Sequence, residues 1–207
     1  MTLPQDIAAT AESIVNTLTQ TDYQHVDNID AATGVYDCDC NGFVGYVLSN
    51  SVPQNYTLVP KEAHQSRPRA FKYFDFFASR TPESSGGWRR VDRLRHARRG
   101  DVMAWRFPTI EPDINTGHVM ILAETPTLDP TGEFFVVRVY DSAAEAHFDD
   151  TRMPDGQPSP TGKTGVGSGF INVRVDGEGR PIGYLFAPPT DAEYSYRPIA
   201  IGRAEPI

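Results

Sequence analysis

Apolar residues along the chain change period near its midpoint. Ile7, Ala11, Ile14, Val15 and Leu18 recur three or four positions apart, which predicts a helix over residues 4–19 with Pro4 in its first turn. Phe71, Phe74, Phe77 and Ala78 predict a second helix over 70–79, followed by a turn at 81–87. Beyond residue 100 the pattern shifts to period two. It predicts strands at 101–106, 117–124, 133–141, 169–175, 181–187 and 198–202, with Asp176-Gly177-Glu178-Gly179 as a hairpin turn. Helices followed by a run of antiparallel strands predict an α+β fold with a sheet of about six strands. No repeat or sharp linker divides the chain. The expectation is a single domain over 1–207, with a helical and loop insertion at 51–98 and a long loop at 142–168 bordering a cleft.

The segment 36–48 reads in two ways. Asn41-Gly42 suits the turn of a hairpin. Alternatively, Asp39 is a helix N-cap, and the apolar positions 40, 43, 44, 47 and 48 form one helical face. Strict alternation fails after the turn, where Phe43 and Val44 are adjacent, and this favours the helix.

Composition narrows the function classes. With 19 basic and 27 acidic residues the formal net charge is −8, which argues against a nucleic-acid partner. No apolar run is long enough for a membrane span, and the N-terminus shows no basic and apolar signal-peptide pattern. Arg89, Arg90, Arg93, Arg95, Arg98 and Arg99 form a local basic cluster, either a solvated face or a contact for a carboxylate-rich partner. The glycines around Lys163-Thr164 do not make a phosphate loop, because the spacer is too long and contains prolines.

Cys38 and Cys40 are the two cysteines, one residue apart, poorly placed for a mutual disulfide and too few for a structural zinc site. No metal or cofactor is expected. At a helix start Cys40 would gain from the orphan N–H groups and the helix dipole, but a nucleophilic thiolate also needs a base. Of five histidines, His25 and His64 fall in polar loops, His96 among arginines and His147 in the Asp-rich loop. His118 instead opens an apolar strand, a rigid support for a base, and Asp141 at the end of the next strand could orient it. Cys38 reads as structural, and Tyr36 as either a core residue or an oxyanion-hole hydroxyl.

These residues resemble a known family. Asp39-Cys40-Asn41-Gly42-Phe43-Val44 resembles the Asp-Cys-Ser-Gly-Leu/Phe-Val signature of the NlpC-type papain-like cysteine peptidases. Arg99-Gly100-Asp101-Val102-Met103-Ala104-Trp105 and Gly117-His118-Val119-Met120-Ile121 resemble that family's next two motifs, in the same order. The resemblance implies a papain-like fold with the catalytic cysteine heading a helix packed on an antiparallel sheet. It implies a Cys40–His118–Asp141 triad that cleaves peptide or amide bonds in bacterial cell-wall (peptidoglycan) stem peptides, in an extracytoplasmic setting. Asp39 and Asn41, the latter where the family has Ser, would contact the substrate. The alternatives are an acyltransferase or amidase with the same triad, or a catalytically silent binding module.

Overall fold

The computed structural model describes residues 2–83, 86–111, 115–187 and 193–207. Residues 84–85 of the turn expected at 81–87 lie outside this set. The chain opens with α1 (Leu3–Thr17), the short strands β1 (Asn28–Asp30) and β2 (Val35–Asp37), then α2 (Cys40–Ser51), α3 (Pro53–Tyr56) and α4 (Ala70–Ala78). The strands β3 (Trp88–Arg90), β4 (Val102–Arg106), β5 (Gly117–Leu122), β6 (Thr127–Leu128) and β7 (Phe135–Ala143) follow. The chain ends with β8 (Gly165–Val175), β9 (Pro181–Leu185), β10 (Ser195–Tyr196) and β11 (Ile199–Ala204).

Strands β3 to β11 form one nine-stranded antiparallel sheet in the order β10-β9-β8-β7-β5-β4-β11-β3, with β6 also on β7. The sheet curls strongly. Trp105 of β4 and Tyr184 of β9 lie four strand positions apart, roughly 19 Å in a flat sheet. Their rings nevertheless stack with centroids 3.9 Å apart.

Period-two alternation sorts the strand side chains onto two faces. Val102, Ala104, Val119 and Ile121 join the helices in one core with Ile7, Phe43, Val47, Leu48 and Phe77. Met103, Trp105, Met120 and Leu122 face inward into a second core with Val137, Val139, Ile171 and Tyr184. Such alternation is what a sheet buried on both faces requires.

The expected papain-like α+β fold on about six strands is therefore corrected. The described residues form mostly one curled, nine-stranded antiparallel sheet with few helices. The strands absent from the sequence reading are short. β6 and β10 have 2 residues each and β3 has 3, too few to show an alternation. The long loop is also shorter than expected, because β7 runs on to Ala143 and β8 begins at Gly165.

One irregularity matters for the site. β5 and β7 pair only at Ile121↔Tyr140 and Leu122↔Val139, whereas β7 and β8 pair at nine positions. The open end of the β5–β7 seam is filled by the chain entering α2. Ser142 Oγ donates to the Cys38 carbonyl at 2.6 Å, and the Val119 N–H faces the Cys40 sulfur.

Candidate active site

Asp39 caps α2 by accepting from the Gly42 N–H at 2.9 Å, which places Cys40 at the first helical position. The Asp39 carboxylate is engaged on both oxygens. Arg67 Nη2 lies 2.9 Å from Oδ1, while His25 Nδ1 and Asn41 Nδ2 lie 3.3 and 3.4 Å from Oδ2. Arg67 also bridges to Asp27 at 2.8 Å, so one guanidinium from the insertion clamps two acids beside the cysteine.

Cys40 is 2% exposed. Burial pushes its thiol well above the ordinary value and the Asp39 charge adds to this, while the Val119 N–H acts in the opposite direction. Cys38 is fully buried two residues back, in the chain leading to the cap of α2, and burial together with Asp27 and Asp39 raises its thiol as well. Both side chains are therefore thiols rather than standing thiolates.

Across the open seam, His118 Nε2 lies 2.6 Å from Asp141 Oδ2. An ionised carboxylate only accepts, so Nε2 carries a proton and Nδ1 is left to take one. The imidazole is set by stacking on Trp105, with centroids 5.3 Å apart, and by the edge of Phe186 at 5.0 Å. The inner face of the sheet thus holds His118, whereas Cys40 approaches from the helical face. No hydrogen bond joins the two side chains. They are linked instead through the chain itself, because Val119, which faces the sulfur, directly follows His118.

Asp141 is fully buried and shared. His147 Nε2 lies 2.9 Å from the same Oδ2, and Arg152 Nη2 lies 3.2 Å from Oδ1. Burial alone would raise the Asp141 carboxyl. The neighbouring His147 and Arg152 charges and both histidine hydrogen bonds outweigh it and hold the group well below the usual carboxylate range. Arg152 in turn grips Asp150, at 2.8 and 2.6 Å. The glycines of β8 make this packing possible. A Cβ on Gly167 would sit 2.7 Å from Arg152 Nε, and one on Gly169 would sit 2.7 Å from Asp150 Oδ2.

Two cavities flank the seam and share Tyr23 and Asn115 in their walls. One, of ≈ 320 Å³, is lined by His118 with Trp105, Phe107, Tyr184 and Phe186. The other, of ≈ 310 Å³, is polar and holds Cys40, Asp39, Asn41, Arg67 and Arg69. The Asn41 Oδ1 and Arg67 Nε atoms beside it are buried without a hydrogen-bond partner. Tyr23 stands between the cavities. Its hydroxyl is raised by burial and by the nearby Cys40, Asp39 and Asp141.

Of the residues singled out in the sequence, Cys40, Asp39, Asn41, His118 and Asp141 gather at this seam. Tyr36 does not. It packs edge-on against Tyr46 and lines a different groove, along α1. Sequence reasoning missed Tyr23, Arg67, His147 and Arg152. For the last two, the alternating glycines at 165, 167 and 169 were a legible signal of a strand face cleared for bulky neighbours. The basic cluster lies apart and is partly neutralised, with Arg89 on Glu205, Arg90 on Asp92 and Arg99 on Glu12. Among the described residues no group of three or more His, Cys, Asp or Glu side chains could hold a metal ion, and no helix is long and apolar enough to cross a membrane.

No family model and no solved structure matches the chain. It is similar to an uncharacterized protein, R653, of Acanthamoeba polyphaga mimivirus. The two are 25% identical over 211 residues, which cover 90% of this chain and 88% of that one.

Proposed function

We propose that the protein is a cysteine hydrolase of peptide or amide bonds. Cys40 is the nucleophile, His118 the base and then the acid, and Asp141 the group that holds the His118 tautomer. The observation that carries this reading is the buried 2.6 Å contact between His118 and Asp141. It directs the Nε2 proton inward and leaves Nδ1 as the acceptor. Because the Cys40 thiol is raised by burial, its proton passes to His118 during attack rather than being lost to water beforehand. Gly42 satisfies Asp39, so the orphan N–H groups of Cys40 and Asn41 at the helix start are the donors for the developing oxyanion.

The two cavities suggest a substrate of mixed character. The aromatic one accommodates an apolar or ring-bearing group, and the polar one a charged or hydrogen-bonding end. The motif resemblance favours a cell-wall stem peptide. A free substrate amine would reach Asp39 by displacing His25, whose side chain is 69% exposed.

A catalytically silent binding module has one observation in its favour, the raised Cys40 thiol without a hydrogen bond to His118. The deciding experiment is turnover of stem peptides and simple amides, followed by mass spectrometry with and without added amine. Cys40→Ser and His118→Ala should each lower the rate by roughly 10²- to 10⁴-fold. Unchanged turnover in Cys40→Ser, or no turnover by the wild type, removes the hydrolase reading. A product carrying the added amine assigns acyl transfer.

A further inference from the structure

Asp141 has more partners than an orienting carboxylate needs, and the geometry of one of them fixes its charge. His147 Nδ1 lies 2.9 Å from the Phe186 carbonyl oxygen, which can only accept. Its Nε2 lies 2.9 Å from Asp141 Oδ2, an oxygen already accepting from His118. Both ring nitrogens of His147 therefore face acceptors, and both must donate.

The surrounding charges agree independently. The His147, Asp141 and Asp150 side chains are 0% exposed and Arg152 is 1% exposed. With His147 charged, two cations meet two carboxylates and the buried cluster is neutral. With His147 neutral, the cluster keeps an uncompensated negative charge away from water, which the fold disfavours strongly. The other titratable groups facing it are His118, the Tyr23 hydroxyl and the Cys40 thiol.

We propose that His147 is a permanent imidazolium and a positioning residue for His118. It locks Asp141 from behind and cancels its charge, so that Asp141 orients His118 without drawing it into the protonated form. Only this effect on His118 rests on the hydrolase reading. The charge state of His147 stands apart from it.

The experiment is ¹⁵N NMR of the ¹⁵N-histidine-labelled full chain across pH. The five histidines are assigned by single substitution. In the wild type, His147 should show two protonated nitrogens at a pH where His118 has already lost one proton. A neutral His147 tautomer there overturns the proposal. In His147→Gln, which keeps a donor without the charge, His118 should hold its second proton to higher pH than in the wild type. An unmoved His118 titration removes the positioning role.

Should His147→Gln fail to fold, the wild-type spectrum still decides the charge state. Asp150→Asn then tests the cluster from its far end, where removing a negative charge should shift His118 to lower pH. A wild-type His147 imidazolium with no turnover on any amide would sink the hydrolase reading alone. Turnover with a neutral His147 would sink this inference alone.

Discussion

His118 and Asp141 meet 2.6 Å apart across a seam where their own strands have stopped pairing. The contact is made by side chains over a gap, not by register, and it depends on what holds Asp141 from the other side.

Replacing Asp141 by Asn should therefore be costly in spite of its near-identical shape. It leaves the Arg152 guanidinium and His147 facing an uncharged amide in a site closed to water. Breaking one partner out of such a buried ionic group costs about 3–5 kcal/mol. Urea denaturation of the variant should show that loss, and a change below about 1 kcal/mol would contradict the charge network.

Acid should weaken the fold through the same residue. The folded Asp141 carboxyl is held well below its usual range, so the unfolded chain binds the proton more readily. The stability this supplies is complete above the unfolded value of about 4 and drains away as pH falls through the lower folded value. The midpoint of urea unfolding, followed from pH 6 down to pH 3, should fall more steeply for the wild type than for Asp141→Asn.

Cys40 should be alkylated before Cys38. Both thiols are raised by burial, but only Cys40 lines a cavity, whereas Cys38 is sealed behind the seam. Iodoacetamide labelling with site assignment by mass spectrometry should mark Cys40 first, with a rate that climbs with pH. His118→Ala should slow that labelling and leave Cys38 unaffected. Equal labelling of the two would speak against an accessible nucleophile.

Gly169→Ala should destabilise the molecule although alanine suits a strand better than glycine. Its Cβ would arrive 2.8 Å from His147 Cβ and 2.7 Å from Asp150 Oδ2, closer than real contacts allow. Overpacking of this kind costs about 1–3 kcal/mol. Thermal melting should register it, while Gly177→Ala, with open space around it, should show little change.

The residues that bear on chemistry were legible where local pattern sufficed. The Asp39 cap and the apolar face after Cys40 mark the start of α2, and a histidine opening an apolar strand marks β5. The architecture was not legible. Strands of two or three residues carry no readable period, and the curl that brings Tyr184 onto Trp105 is a long-range packing outcome. His147 and Arg152 were hidden by their own segment for a related reason, and only the glycine alternation of the facing strand hinted at them. They sit in a stretch rich in turn-forming residues, and turn composition does not reveal that a loop is folded back and buried.

The short pairing between β5 and β7 gives the molecule a mechanical line of weakness. On one side β5, β4, β11 and β3 form a continuous panel, and on the other β7, β8, β9 and β10 form a second. Along the seam two ladder pairs and the Ala123 N–H on the Arg138 carbonyl join their backbones, with the threshold of α2 as a bolt through Ser142 and Val119. The Trp105–Tyr184 stack and the His118–Asp141 contact add side-chain links. Thermal agitation concentrates where the fewest backbone bonds must yield, so the panels should part along this line before either frays internally. The proposed nucleophile and base straddle it, and any motion that opens the joint alters the separation between Cys40 and His118.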